Sequence, residues 1–70
     1  MKQHTVSQAH HGSCSSTLSA ARTMLSLDQH AFVTVVLDKS CEREEPIIRE
    51  LLTMAGPQRF KIDYIRIKKP

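Results

Sequence analysis

Cysteine is scarce in this sequence. Cys14 and Cys41 are the two it has, where a secreted mini-protein of this size normally carries four or more. A disulfide-dense secreted scaffold is therefore excluded, and the composition predicts a cytoplasmic protein with both thiols reduced. Glycine is equally scarce, with Gly12 and Gly56 alone, so no glycine-rich loop exists to cradle a phosphate. Long apolar runs are missing. The richest stretch, Ala31 to Leu37, is far too short to cross a bilayer, and no membrane partner is expected. Met1 to Ser13 is polar, and is not expected to act as a signal peptide.

What is present is one domain, 1–70, with a thin core. A chain of 70 residues buries only about 60% of the surface its unfolded form exposes. The net charge of +3 is spread unevenly. The segment Met1 to Leu37 is nearly neutral, and Asp38 to Gly56 is acidic. Pro57 to Pro70 is strongly basic through Arg59, Lys61, Arg66, Lys68 and Lys69. Such a tail suits phosphates, an acidic partner or water.

Two helices are predicted. Ser15, Ser16 and Thr17 offer N-cap oxygens, and Leu18, Ala21, Met24 and Leu25 then recur at helical spacing, giving a first helix over Ser16 to Leu27. Pro46 suits the first turn of a second helix, and Glu44 and Glu45 complement its positive end. Ile47, Ile48, Leu51, Leu52 and Ala55 form its apolar stripe. Gly56 supplies a left-handed stop and Pro57 prevents continuation.

Strands fill the remainder. Ala31 to Leu37 is rich in β-branched residues and apolar on both faces, which predicts a central strand. Phe60 to Lys68 is a second, with Phe60, Ile62 and Tyr64 on one face and Ile65 and Ile67 on the other. Gln3 to Ser7 is a weaker third, since Val6 is its one strong apolar residue; Met1 to Ser13 is either flexible or holds this strand. His10 to Ser16 reads as a flexible loop. One helix between neighbouring strands implies a parallel crossover, and two of them can cover one face of a sheet.

These landmarks, His4-Thr5-Val6, then Gly12-Ser13-Cys14, a helix, and Val35-Val36-Leu37-Asp38, resemble the TusA/SirA/YedF family of small sulfur-carrier proteins. The family motif is Cys-Pro-x-Pro just after the first strand. Cys14 falls at its cysteine, but Ser15-Ser16-Thr17 follows and both prolines are absent. Leu18, Ala21, Arg22 and Leu25 fit the family's first helix, Glu44 to Ile47 the start of its second, and Tyr64 to Lys68 its last strand. The resemblance implies an α+β two-layer sandwich, β-α-β-α-β with room for one more strand, with a small mixed sheet and two helices on one face. It also implies a sulfur carrier or sulfurtransferase that holds a transient persulfide on Cys14, needs no cofactor, and meets another sulfur-transfer protein. Arg22, Arg59, Lys61, Arg66 and Lys68 are the docking candidates.

The chemistry has a physical basis. The thiolate is the reactive species, and a free cysteine titrates at about 8.5. A helix N-terminus favours an anion through its unpaired N–H groups and macrodipole, and Ser15 and Ser16 could support that helix start. Cys41 stands among carboxylates, which oppose a thiolate. A Cys14–Cys41 disulfide is conceivable from the sequence, as is a role for Cys14 as an inert loop thiol or a small buried apolar residue.

Other constellations are thinner. His4, His10, His11 and Cys14 lack the paired spacing of a zinc site, so no metal is expected, and these histidines and His30 read as loop residues. The basic C-terminal strand with Phe60 and Tyr64 could contact nucleic acid, although the face these aromatics share with Ile62 suggests core. A domain that keeps the fold without the chemistry would serve as a regulatory or adaptor module, and could form a homodimer through an edge strand.

Overall fold

The fold was analysed in a computed structural model, which describes residues 2–65. Strand β1 spans Lys2–Ser7, and a single helical turn, α1, covers Gln8–His11. Helix α2 runs over Cys14–Leu27, strand β2 over Ala31–Asp38, a 3-10 turn over Lys39–Glu44, helix α3 over Glu45–Ala55 and strand β3 over Phe60–Ile65. The expected element order is present. The weak strand at the N-terminus is real, and its register explains how so polar a segment is held: Val6, its one buried residue, pairs with Val35.

The sheet order is β1-β2-β3, with β2 central and both pairings parallel. The mixed sheet implied by the family resemblance is thus not what the described strands form. Each strand returns through a helix, and a helical crossover delivers the next strand in the same direction. Both crossovers step the same way along the sheet. This puts α2 and α3 side by side on one face, where Arg22 of α2 pairs with Glu50 of α3 at 2.7 Å.

β2 shows the result most clearly. Ala31, Val33, Val35 and Leu37 are buried, and the alternate Phe32, Thr34, Val36 and Asp38 are half-buried. Val33, Val35 and Leu37 meet Leu18, Ala21 and Leu25 of α2, Ile48 and Leu51 of α3, and Phe60 of β3 in one core. Burying a Leu or Phe side chain contributes about 1.5–3 kcal/mol, so these few residues carry most of the apolar stabilisation. Ile47, Leu52 and Ala55 flank the α3 stripe and are partly covered. The other sheet face carries Thr5, Phe32, Thr34, Val36, Lys61, Asp63 and Ile65 by register, and no described element lies over it.

Two helix ends differ from expectation. Helix α2 begins at Cys14, because Ser13 and none of Ser15, Ser16 or Thr17 is the cap: its hydroxyl oxygen accepts the Ser16 N–H at 3.1 Å. Gly56 does end α3 at positive φ (84°), but its ψ of 160° is extended and not the helical left-handed stop. The chain therefore leaves α3 straight into the turn before β3, where the N–H of Phe60 donates to the Gly56 carbonyl at 3.1 Å. For β3, the face shared by Phe60, Ile62 and Tyr64 and the opposite placement of Ile65 agree with the register; its extension through Arg66, Ile67 and Lys68, and any further strand there, lie outside the described residues.

Candidate functional site at the carboxyl end of the sheet

In a parallel sheet every strand ends on the same side, and each following helix begins there. That topology brings together two segments far apart in sequence. After β1, the α1 turn closes at Gly12, whose φ of 85° and ψ of −20° are left-handed. Ser13 follows and Cys14 opens α2. After β2, the Asp38 carboxylate accepts the Ser40 N–H at 3.3 Å and starts the 3-10 turn that carries Cys41 inward.

Cys14 and Cys41 are joined by a disulfide, with their Cα atoms 5.7 Å apart and a sequence separation of 27. This corrects the expectation that both thiols are free and reduced. Spacing along the chain could not show it, because the contact is made by the parallel topology. The bond is asymmetric. Cys41 is fully buried in the core, whereas Cys14 is partly exposed at the first position of a 14-residue helix. Ser16 lies within this helix start: its hydroxyl oxygen accepts from Ser13 Oγ at 2.9 Å, and its N–H is the group that Ser13 caps. Ser15 is exposed beside it. Thr17, fully buried, donates its hydroxyl to the Ser13 carbonyl at 2.7 Å. Together these contacts fix the turn on which Cys14 sits.

Gln8 was not among the residues picked from the sequence. Its side-chain oxygen accepts the Asp38 N–H at 2.7 Å and lies 3.1 Å from Cys41 Sγ. While the disulfide is closed, that sulfur has no proton, and the approach is a sulfur–oxygen contact. Reduction would give that sulfur a proton to donate to this oxygen. A groove of about 300 Å³ opens next to it, lined by Gln8, Ala9, Gly12, Asp38 and Ile65. No sequence rule marks a glutamine after a short polar strand, so Gln8 becomes visible only when the strands pair.

The basic docking candidates scatter. Arg22 is exposed and paired with Glu50. Arg59 is turned inward: Nε donates to the Ala31 carbonyl at 3.0 Å, and Nη2 donates to Asp28 and Leu25 carbonyls at 2.7 and 3.3 Å. Its guanidinium is consumed by the fold. Lys61 stands exposed on the open sheet face, and Arg66 and Lys68 lie outside the described residues. Phe60 is a core residue at 1% exposure, which removes it from any base-stacking surface.

His10 and His11 meet edge to face, with ring centroids 5.5 Å apart, on the exposed α1 turn. Among the described residues, no group of three or more His, Cys, Asp or Glu side chains is placed to hold a metal ion. No helix among them is long and apolar enough to cross a membrane. The chain matches no family model, no curated protein and no solved structure.

Proposed function

We propose that the protein is a small sulfur carrier of the TusA/SirA kind, in which Cys14 holds a transient persulfide and the Cys14–Cys41 disulfide is the oxidised form. The observation that carries this reading is the asymmetric cysteine pair at the carboxyl end of a parallel sheet. One sulfur is partly exposed at a capped helix N-terminus, and the other is sealed in the core. Reduction leaves a thiol at Cys14 where the helix end favours the anion. That thiolate attacks the outer sulfur of a donor persulfide, a Cys14 persulfide forms, and the donor leaves as its thiolate. In a cytoplasm that keeps thiols reduced, a bond of this kind is a transient, chemistry-bearing state.

The test is to reduce the protein, offer inorganic polysulfide, and locate the added sulfur by mass spectrometry. The expected result is sulfane sulfur on Cys14, none on Cys41, and no loading in Cys14→Ser. Equal labelling of both cysteines, or no sulfane sulfur on Cys14 in a folded Cys41→Ser variant, overturns the reading.

A second reading is a binding module with a purely structural disulfide. It is favoured by the open sheet face, where Phe32 and Val36 are only half-buried and a shallow groove of about 330 Å³ lies among Gln3, Phe32, Thr34, Gln58, Arg59 and Lys61. Parallel sheets are ordinarily covered on both faces, so this face suits a partner or a second copy of the chain. On this reading Cys14→Ser leaves partner binding intact.

A further inference from the structure

Resting on the persulfide reading above, we infer that Cys41 is the resolving thiol, which expels the sulfur held on Cys14 as hydrosulfide and closes the Cys14–Cys41 bond. Three features place it in this role. Its sulfur reaches bonding contact with Cys14 Sγ on the native backbone, where the two Cα atoms are 5.7 Å apart. Its residue is fully buried, so no bulky donor can load it directly. Its sulfur lies 3.1 Å from the Gln8 side-chain oxygen, an acceptor to which a reduced Cys41 thiol can donate. Burial sets an order: Cys14 takes sulfur first, and Cys41 acts only on the loaded neighbour.

The step balances without an outside oxidant. The Cys41 sulfur bonds to Cys14 Sγ, and the bond from Cys14 Sγ to the outer sulfur breaks. The outer sulfur leaves with that electron pair and receives the Cys41 proton, so a persulfide anion and a thiol become a disulfide and hydrosulfide. The outer sulfur is reduced and the Cys41 thiol is oxidised. Attack falls on the inner sulfur because that is the atom Cys41 meets in this fold. A dithiol reductant then reopens the bond by exchange. A carrier with this second thiol can discharge its cargo as free sulfide when no acceptor is docked.

The experiment uses reduced wild-type protein, Cys41→Ser and Cys41→Ala, each loaded with inorganic polysulfide and freed of donor and small thiols. A sulfide electrode follows release, and intact mass follows the protein. Wild type is expected to release sulfide in step with disulfide formation. Both variants, with native circular dichroism, are expected to keep the persulfide and release sulfide at the buffer blank rate. Folded variants that release sulfide as fast as wild type overturn the inference. So does wild type releasing sulfide without forming the disulfide, a criterion that needs no variant. Absence of sulfane sulfur on Cys14 in folded Cys41→Ser overturns the carrier reading itself, which separates the two failures.

Discussion

The Gln8 side-chain oxygen accepts the backbone N–H of Asp38 at 2.7 Å, joining the ends of two adjacent strands across 30 residues of sequence. The Asp38 N–H sits at the last position of β2, where the ladder to β1 has already ended at Ser7–Val36. Without Gln8 this partly buried donor has no described partner. Gln8→Met keeps the length of the side chain and removes the acceptor, and is expected to lower stability by about 1–3 kcal/mol. Gln3→Met, on the exposed part of β1, should stay within about 0.5 kcal/mol. Urea unfolding of the oxidised protein checks both, and equal midpoints for the two variants would remove Gln8 from its structural role.

The Cys14–Cys41 bond spans 27 residues, and closing a loop of that size constrains the unfolded chain by about 3–4 kcal/mol. A domain this small has little margin. Reduction is therefore expected to shift the unfolding midpoint far down, with Cys14→Ser matching the reduced protein. An unchanged midpoint would show that the pair is not bonded in solution. Once reduced, Cys14 should be alkylated faster than Cys41 across the neutral range, as thiol-specific mass spectrometry would show. Burial protects the other sulfur.

Local signals read from the sequence survive best. The apolar stripe of Leu18, Ala21 and Leu25, the stop at Gly56 and the central strand from Ala31 are each set by neighbours within one turn or one pleat, and all are present. The place of Cys14 at a helix start was legible for the same reason, since a helix start follows from its own few residues. Its partner was not. Cys41, Gln8 and Arg59 gain their roles from strand order, and the parallel pairing of β1 with β2 depends on a polar segment whose one buried anchor is Val6. Ser13 was missed as the cap because four hydroxyl residues stand in or beside that turn and composition alone does not rank them.

Gly12 and Gly56 share a φ near 85° and differ in ψ, −20° against 160°. The first conformation is left-handed helical, which a residue with a Cβ can enter at about 1–2 kcal/mol. The second belongs to a region reserved almost wholly for glycine. No atom stands within 4 Å of a Cβ built at either site, so backbone strain alone separates them. Gly56→Ala is expected to cost more than Gly12→Ala, by about 1 kcal/mol or more. Paired thermal melts of the two variants decide it, and a reversed order would mean that the chain leaves α3 in another conformation.

Arg59 supplies at long range what α2 lacks locally. The last turn of α2 has no basic residue, and its terminal carbonyls need both donors and positive charge. The guanidinium donates to Leu25 and Asp28 carbonyls there, and to Ala31 at the start of β2, so one side chain ties the helix end, the turn and the strand. Three carbonyls approached from different directions require the flat fork of arginine, which an ammonium cannot copy. Arg59→Met is expected to cost about 2–4 kcal/mol, and Arg59→Lys to recover less than half of that while keeping the charge. Arg22→Met breaks only the exposed pair with Glu50 and should cost under about 1 kcal/mol. Urea unfolding of the three variants separates the cases. If Arg59→Lys were as stable as wild type, charge alone would be sufficient at this position, and the residue would again be available as a docking cation.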